Sequence, residues 1–231
     1  MPNPLISWFN RAERNFRHSF GKDISTPRER RRSMRHYNWL DHAILRVWWR
    51  NFHEVAPGVY RSNHPTHKRF VEYADMGITH ILNLRGEDKY AHYLFEVESC
   101  DMLGLTLVDH KLYATKAPDA QKVLELIDLL RDTPRPYLIH CKSGADRTGL
   151  AAVLVLYLLE GEPLETALKQ LDGKFMHARK SKAGVLDYFF EVYRARTERD
   201  TIAFTDWLKT EYDQAQLQKD FDQLRANKEW R

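Results

Sequence analysis

The sequence predicts an α/β fold: a central mixed, mostly parallel sheet of four to five strands flanked by helices, with helical N- and C-terminal extensions. Three observations predict it. Short apolar runs of strand length alternate with stretches whose apolar residues recur at helical spacing. One such run, Pro136, Tyr137, Leu138 and Ile139, leads through a glycine-containing turn into a long apolar helix beginning near Leu150. After that helix the pattern stays helical to the end of the chain.

Taken in order, Asn3 and Pro4 read as a helix cap followed by proline at the first helical position. Leu5, Trp8, Phe9, Ala12, Phe16 and Phe20 then share one face, with Arg11, Arg14, Arg17 and His18 largely off it, and Gly21 as the stop. The stretch 28–35, rich in arginine, reads as a basic connector. A second helix is expected over 39–52 from the stripe Leu40, Ala43, Ile44, Val47 and Trp48. From Pro57 the pattern changes. Gly58, Val59, Tyr60 and Arg61 read as a short strand, 66–76 as a helix ending at Gly77, and 78–84 as a buried strand. Residues 103–108 are a further strand candidate. Asp119 caps a helix through Val123, Leu126, Ile127 and Leu130. The strand and apolar helix already described follow. Amphipathic helices are then expected over 163–171, 185–193 and 202–224.

The 231 residues are 43% apolar and 29% charged, a globular composition and not a disordered one. No apolar run approaches the roughly 20 residues of a membrane span. The N-terminus lacks the basic lead, apolar stretch and small-residue cleavage site of a secretory signal. Two cysteines, Cys100 and Cys141, make no disulfide scaffold, which favours a reducing compartment. The eleven histidines have no metal-ligand spacing, so neither a metal nor another cofactor is expected. The net charge of +4 is unevenly spread: residues 1–56 carry 11 Lys/Arg against 5 Asp/Glu. That excess bears on partners more than on fold.

The chemistry lies in residues 140–149: His140, Cys141, Lys142, Ser143, Gly144, Ala145, Asp146, Arg147, Thr148, Gly149. A strand, a glycine turn and a helix start aim backbone N–H groups and the positive helix end at an anion. Cys141 at such a helix start, beside Arg147, is expected to be a populated thiolate and the nucleophile. The amides from Lys142 through Arg147 can surround three phosphoryl oxygens. Arg147 can grip two of them bidentately. Thr148 offers its hydroxyl to the sulfur, and His140 orients the loop. Singly, each residue has an ordinary structural explanation; together, at this spacing, they point to phosphate chemistry.

This segment resembles the signature of the cysteine-dependent protein tyrosine and dual-specificity phosphatase superfamily, Cys-x5-Arg, at His140, Cys141, Gly144, Arg147, Thr148 and Gly149. The likeness extends from about residue 57 to about 196. The runs Gly58, Val59, Tyr60, Arg61, Ser62 and Ile81, Leu82, Asn83, Leu84, Arg85 look like the opening strands of compact bacterial-type members. It implies a dual-specificity-phosphatase-like fold, a phosphatase domain over 57–196, and extensions over 1–56 and 197–231. Members also use an aspartic acid to protonate the leaving oxygen, about thirty residues before the cysteine in compact ones. Asp109, 32 residues before Cys141, is the expected acid. Asp119 is explained by capping. Asp146, inside the loop as in lipid-directed relatives, is the alternative acid or a brace for the loop. Lys142 is shared with phosphoinositide- and phosphatidylglycerophosphate-directed relatives and favours a polyanionic or lipid headgroup, unless it is simply solvated. Lys174, Arg179, Lys180 and Lys182 either add charge to the same pocket or belong to the surface. Cys100 is either a buried inert thiol or a disulfide partner for Cys141, as in some relatives.

The expected activity is therefore phosphomonoester hydrolysis through a phosphocysteine, on phosphotyrosine or dual-specificity protein substrates or on a phospholipid headgroup. Phosphoinositides, phosphatidylglycerophosphate and inositol phosphates are the alternative substrates, and a non-catalytic phosphate-binding scaffold is the alternative of another class. Residues 4–20 and 28–35 offer a contact for an anionic membrane surface, against packing onto the protein itself. No nucleic-acid motif accompanies the arginines. The expected location is cytoplasmic, with a peripheral position at the inner membrane face as the variant that the N-terminal helix offers. The oligomeric state is left open.

Overall fold

The computed structural model describes residues 21–35, 37, 38 and 48–230. The helix expected over 4–20 and most of that expected over 39–52 lie outside these residues. The described elements are α1 (Pro27–Arg35), β1 (His53–Ala56), β2 (Val59–Asn63), α2 (His67–Asp75), β3 (His80–Asn83), α3 (Ala91–Leu103), β4 (Thr106–Asp109), α4 (Ala120–Asp132), β5 (Tyr137–Cys141), α5 (Asp146–Leu154), α6 (Leu164–Ala167), α7 (Val185–Thr197), α8 (Phe204–Thr210) and α9 (Gln214–Ala226).

The five strands form one sheet in the order β1-β2-β5-β3-β4. β1 runs antiparallel to β2, and the other pairings are parallel. The mixed, mostly parallel sheet flanked by helices is thus the observed architecture. β5 lies in the middle with all five residues buried, as a strand covered on both faces must be. Alternation along it divides the core. Tyr137, Ile139 and Cys141 pack on one face with α4, α5, α7, α8 and α9. Leu138 packs on the other with α2, α3, Ile81 and Cys100. The sheet therefore lies between the two cysteines.

Two local expectations are corrected. The basic stretch 28–35 is a helix, not a connector. Pro27 opens it, the Thr26 hydroxyl accepts from the Glu29 amide at 3.2 Å, and Arg30 grips Glu98 of α3 bidentately at 2.7 and 2.6 Å. Residues 49–52 are not helical. The Trp49 carbonyl accepts from the Asn63 side chain, the Arg50 carbonyl accepts from the Asn63 amide, and Asn51 adopts a φ of 47°, so the backbone serves the end of β2 instead of itself. The sequence pattern also passes over α3. Its ordinarily solvated residues His92, Glu96 and Ser99 are buried, so no polar face marks it. The structure adds the short strand β1, and it breaks the helix expected over 202–224 into α8 and α9. Asp119 caps α4 as expected, accepting from the Lys122 amide at 3.0 Å.

Candidate active site

β5 ends at Cys141 and α5 begins at Asp146, so the intervening loop closes over the C-terminal end of the sheet. Its tight path depends on Gly144, whose φ is +72°. A Cβ there would lie 2.6 Å from the Ser62 carbonyl carbon and oxygen. Only glycine lets the loop settle onto β2. Cys141 is 1% exposed at the base of the loop, and the Gly144 amide donates to its sulfur at 3.3 Å. Burial pushes the Cys141 thiol up. The Arg147 charge and the hydroxyl and amide of Thr148 outweigh burial and the nearby Asp146 charge, and the net shift is downward. The Thr148 hydroxyl is buried and has no hydrogen-bond partner from another nitrogen or oxygen among the described residues.

Arg147 is the first-turn cation of α5. One Nη reaches the Leu84 carbonyl at 3.4 Å, a weak contact, while Nε is buried with no partner among the described residues. A buried, unmatched guanidinium N–H is costly, and an oxyanion above the loop would satisfy it.

His140 is fully buried, and its Nε2 lies 2.6 Å from Glu96 Oε1. With His64 these form a buried trio of potential metal ligands. The 2.6 Å contact does not have hydrogen-bond geometry, and both Glu96 oxygens and both His140 ring nitrogens are buried with no hydrogen-bond partner among the described residues. Two ligands bonded to one zinc at about 2 Å sit about 3 Å or more from each other. In this arrangement His140 and Glu96 are closer than two ligands of one zinc would be, and Glu96 backs His140 at contact distance. The trio was invisible in the sequence because Glu96 and His64 come from separate elements.

Asp109 ends β4, in register with Asn83, which is in register with His140. It is exposed, its Oδ1 accepts from Asn83 Nδ2 at 2.8 Å, and its Oδ2 accepts from the Tyr93 hydroxyl at 2.6 Å. Arg147 contacts the carbonyl of Leu84, the residue after Asn83. Asp146 has its Oδ1 on His177 Nδ1 at 2.8 Å, and His177 Nε2 lies 2.7 Å from Asp187 Oδ2. Burial works against the charge on His177, yet the hydrogen bonds to Asp146 and Asp187 lift its pKa to about 9. Sequence reasoning missed His177 because nothing in its neighbourhood marks it. It missed Asn51 too, whose Nδ2 donates to the Ser143 carbonyl at 3.1 Å and the Phe175 carbonyl at 3.0 Å.

The later cations are placed unevenly. Arg179 is held by Glu191 at 2.5 Å and by Asp187, and stacks on Trp230. Lys174 lies over Phe175, and Lys180 and Lys182 are exposed. Cys100 is 1% exposed among apolar residues, and burial pushes its thiol up.

A thiol of lowered pKa beneath an anion-binding loop, at the end of the central strand of such a sheet, defines the class of cysteine-dependent tyrosine and dual-specificity phosphatases. Residues 50–184 match the model of the Swiss Army Knife phosphatase domain of the dual-specificity type, and the chain belongs to that family. No curated protein sequence matches the chain. The fold is similar to that of P. aeruginosa TpbA, with TM-score 0.51 and 19% identity over 69% of this chain and 88% of that one. It is similar as well to the core catalytic domain of the PP-IP phosphatase SIW14 from S. cerevisiae, with TM-score 0.51 and 20% identity over 66% of this chain and 94% of that one. At these identities the likeness is one of fold.

Proposed function

We propose that the enzyme hydrolyses phosphate monoesters through a phosphocysteine on Cys141. The observation that carries this is the pairing of a thiol of lowered pKa with the unmatched buried Nε of Arg147. Sulfur attacks phosphorus while Arg147 and the amides from Lys142, Ser143, Gly144, Ala145 and Asp146 hold the equatorial oxygens. Asp109 gives its proton to the leaving oxygen, which departs as an alcohol. The Asn83 and Tyr93 contacts aim that carboxyl, and one must yield when it carries the proton. Asp109 then takes a proton from water, which attacks phosphorus, and Cys141 leaves as a thiolate assisted by Thr148. Asp146 acts as a brace in this scheme, since His177 already occupies its Oδ1.

The substrate reading is a phosphotyrosyl or dual-specificity protein phosphate, supported by a nucleophile at the bottom of its loop. A phospholipid headgroup is the second reading. It is favoured by α1, where Arg28, Arg31, Arg32 and Arg35 are all exposed and suit an anionic surface in or beside the cytoplasm. Turnover of phosphotyrosyl peptides, phosphoinositides, phosphatidylglycerophosphate and inositol phosphates under reducing, chelator-containing buffer separates these readings. Absence of turnover on every one of them, or turnover that survives Cys141→Ser, would contradict the proposed chemistry.

A further inference from the structure

Arg61, on β2, is fully buried. One Nη donates to the Gly144 carbonyl at 2.7 Å and makes a longer contact, 3.4 Å, with that of Ala145. The other donates to Gln170, to its carbonyl at 3.0 Å and its side-chain oxygen at 2.6 Å. The guanidinium carbon lies 3.8 Å from the centre of the Phe175 ring. Its Nε has no hydrogen-bond partner among the described residues. All of these partners are neutral, and among the described residues no carboxylate forms an ion pair with it. A buried cation without an anion is strongly unfavourable unless a negative charge lies near. Burial pushes its pKa down to about 10, and the charge that opposes this is the Cys141 thiolate.

We propose that Arg61 is a second cation of the active site, a positioning residue behind the phosphate loop. It fixes the Gly144 and Ala145 peptides by their carbonyls and adds a buried positive charge behind the loop that favours the Cys141 thiolate. Gripping a peptide by its oxygen turns the adjoining N–H the other way, toward the anion. The peptides that Arg61 grips carry the N–H groups of Ala145 and Asp146, while the Gly144 N–H that points at the sulfur belongs to the peptide whose Ser143 carbonyl accepts from Asn51. Arg61 thus does for the loop's interior what a helix dipole does for its end.

Among the described residues, the charged groups that interact with the sulfur are Arg147, Arg61 and Asp146, and His140 and Glu96 lie in contact with each other at the end of the same strand. His53, edge-on to Phe175, also feels the Arg61 charge. This role rests on the thiolate reading of Cys141, so the readout is one that needs no substrate. The rate of Cys141 alkylation by iodoacetamide is followed against pH by mass spectrometry, with thermal unfolding as the check on folding. Arg61→Met is expected to move the alkylation midpoint upward by about one pH unit or more. Arg61→Lys is expected to hold it near wild type while weakening vanadate binding about tenfold, because lysine cannot hold the loop carbonyls and Gln170 together.

Should Arg61→Met fail to fold, Arg61→Gln carries the same expected shift. A folded neutral variant with an unmoved midpoint would overturn the proposal. So would failure of both neutral variants to fold beside an Arg61→Lys protein with unaltered vanadate binding, since Arg61 would then be structural alone. A shifted midpoint in a protein without phosphatase turnover would support the Arg61 role and sink the proposed function instead.

Discussion

Both cysteines are buried, yet the thiols of Cys141 and Cys100 shift in opposite directions because of the charges each faces. Cys100 lies among apolar side chains, with acidic groups as its nearest charges. Cys141 lies among Arg147, Arg61, Thr148 and loop amides, and its thiol shifts downward despite burial. The two aspartates separate in the same way. Asp109→Asn is expected to lower kcat at least a hundredfold on an alkyl phosphate and less than about tenfold on an activated aryl phosphate, the mark of a lost proton donor. Asp146→Asn is expected to lower both alike, because it loosens the loop. Steady-state kinetics on the two substrates makes the distinction.

His177 gives a pH signature. Its folded pKa, about 9, lies above the unfolded value of 6.5, so its stabilisation is complete below about pH 6.5 and is lost as pH rises through about 9. Denaturant unfolding of wild type and His177→Gln is expected to show a stability gap on the order of 2 kcal/mol at pH 6 that narrows toward pH 10. A gap independent of pH would contradict the charged Asp146–His177–Asp187 clamp.

At the scale of elements, the loop is set by its contact with β2 as much as by its own sequence. Gly144→Ala places a methyl against the Ser62 carbonyl in a φ that disfavours side chains. The expected result is a loss of kcat/KM of about a hundredfold or more with a drop in stability of about 1–3 kcal/mol, read by kinetics and denaturant unfolding. The elements legible in the sequence were those with a clean apolar period. β5, α4 and the apolar helix that α5 opens bury one face or all of themselves in plain hydrocarbon. α3 was not legible, because His92, Glu96 and Ser99 turn inward where a pattern expects water. One of these inward residues, Glu96, contacts His140 at the end of the central strand, so the element that escapes the pattern also reaches the site. The same holds for the end of β2, where Asn51 and Asn63 draw backbone away from a helix that the spacing favoured.

At the scale of the molecule, the loop residues could be found from sequence because they are contiguous. Arg61, Glu96, His177 and Asp187 could not, since only the fold brings them to the loop. The C-terminal helices belong to that fold. Trp207, Leu208, Leu217 and Phe221 are each at most 4% exposed and pack into the core cluster that contains Cys141. Trp207→Ala is expected to cost about 3–5 kcal/mol in urea unfolding, and a chain ending at residue 196 is expected not to fold stably. Among the described residues no helix is long and apolar enough to cross a membrane. The exposed arginines of α1 are expected to give weak, salt-sensitive binding to anionic vesicles in a sedimentation assay, lost when Arg28, Arg31, Arg32 and Arg35 are changed together to Gln.

The central claim is a covalent phosphoryl transfer to Cys141. Rapid acid quenching of the enzyme with a 32P-labelled phosphomonoester that it turns over, followed by peptide mapping, tests it most directly. The expected result is label on the peptide carrying Cys141, in greater amount in Asp109→Asn with an activated substrate and absent in Cys141→Ser. Turnover with no label on Cys141, or label on another residue, would contradict the account.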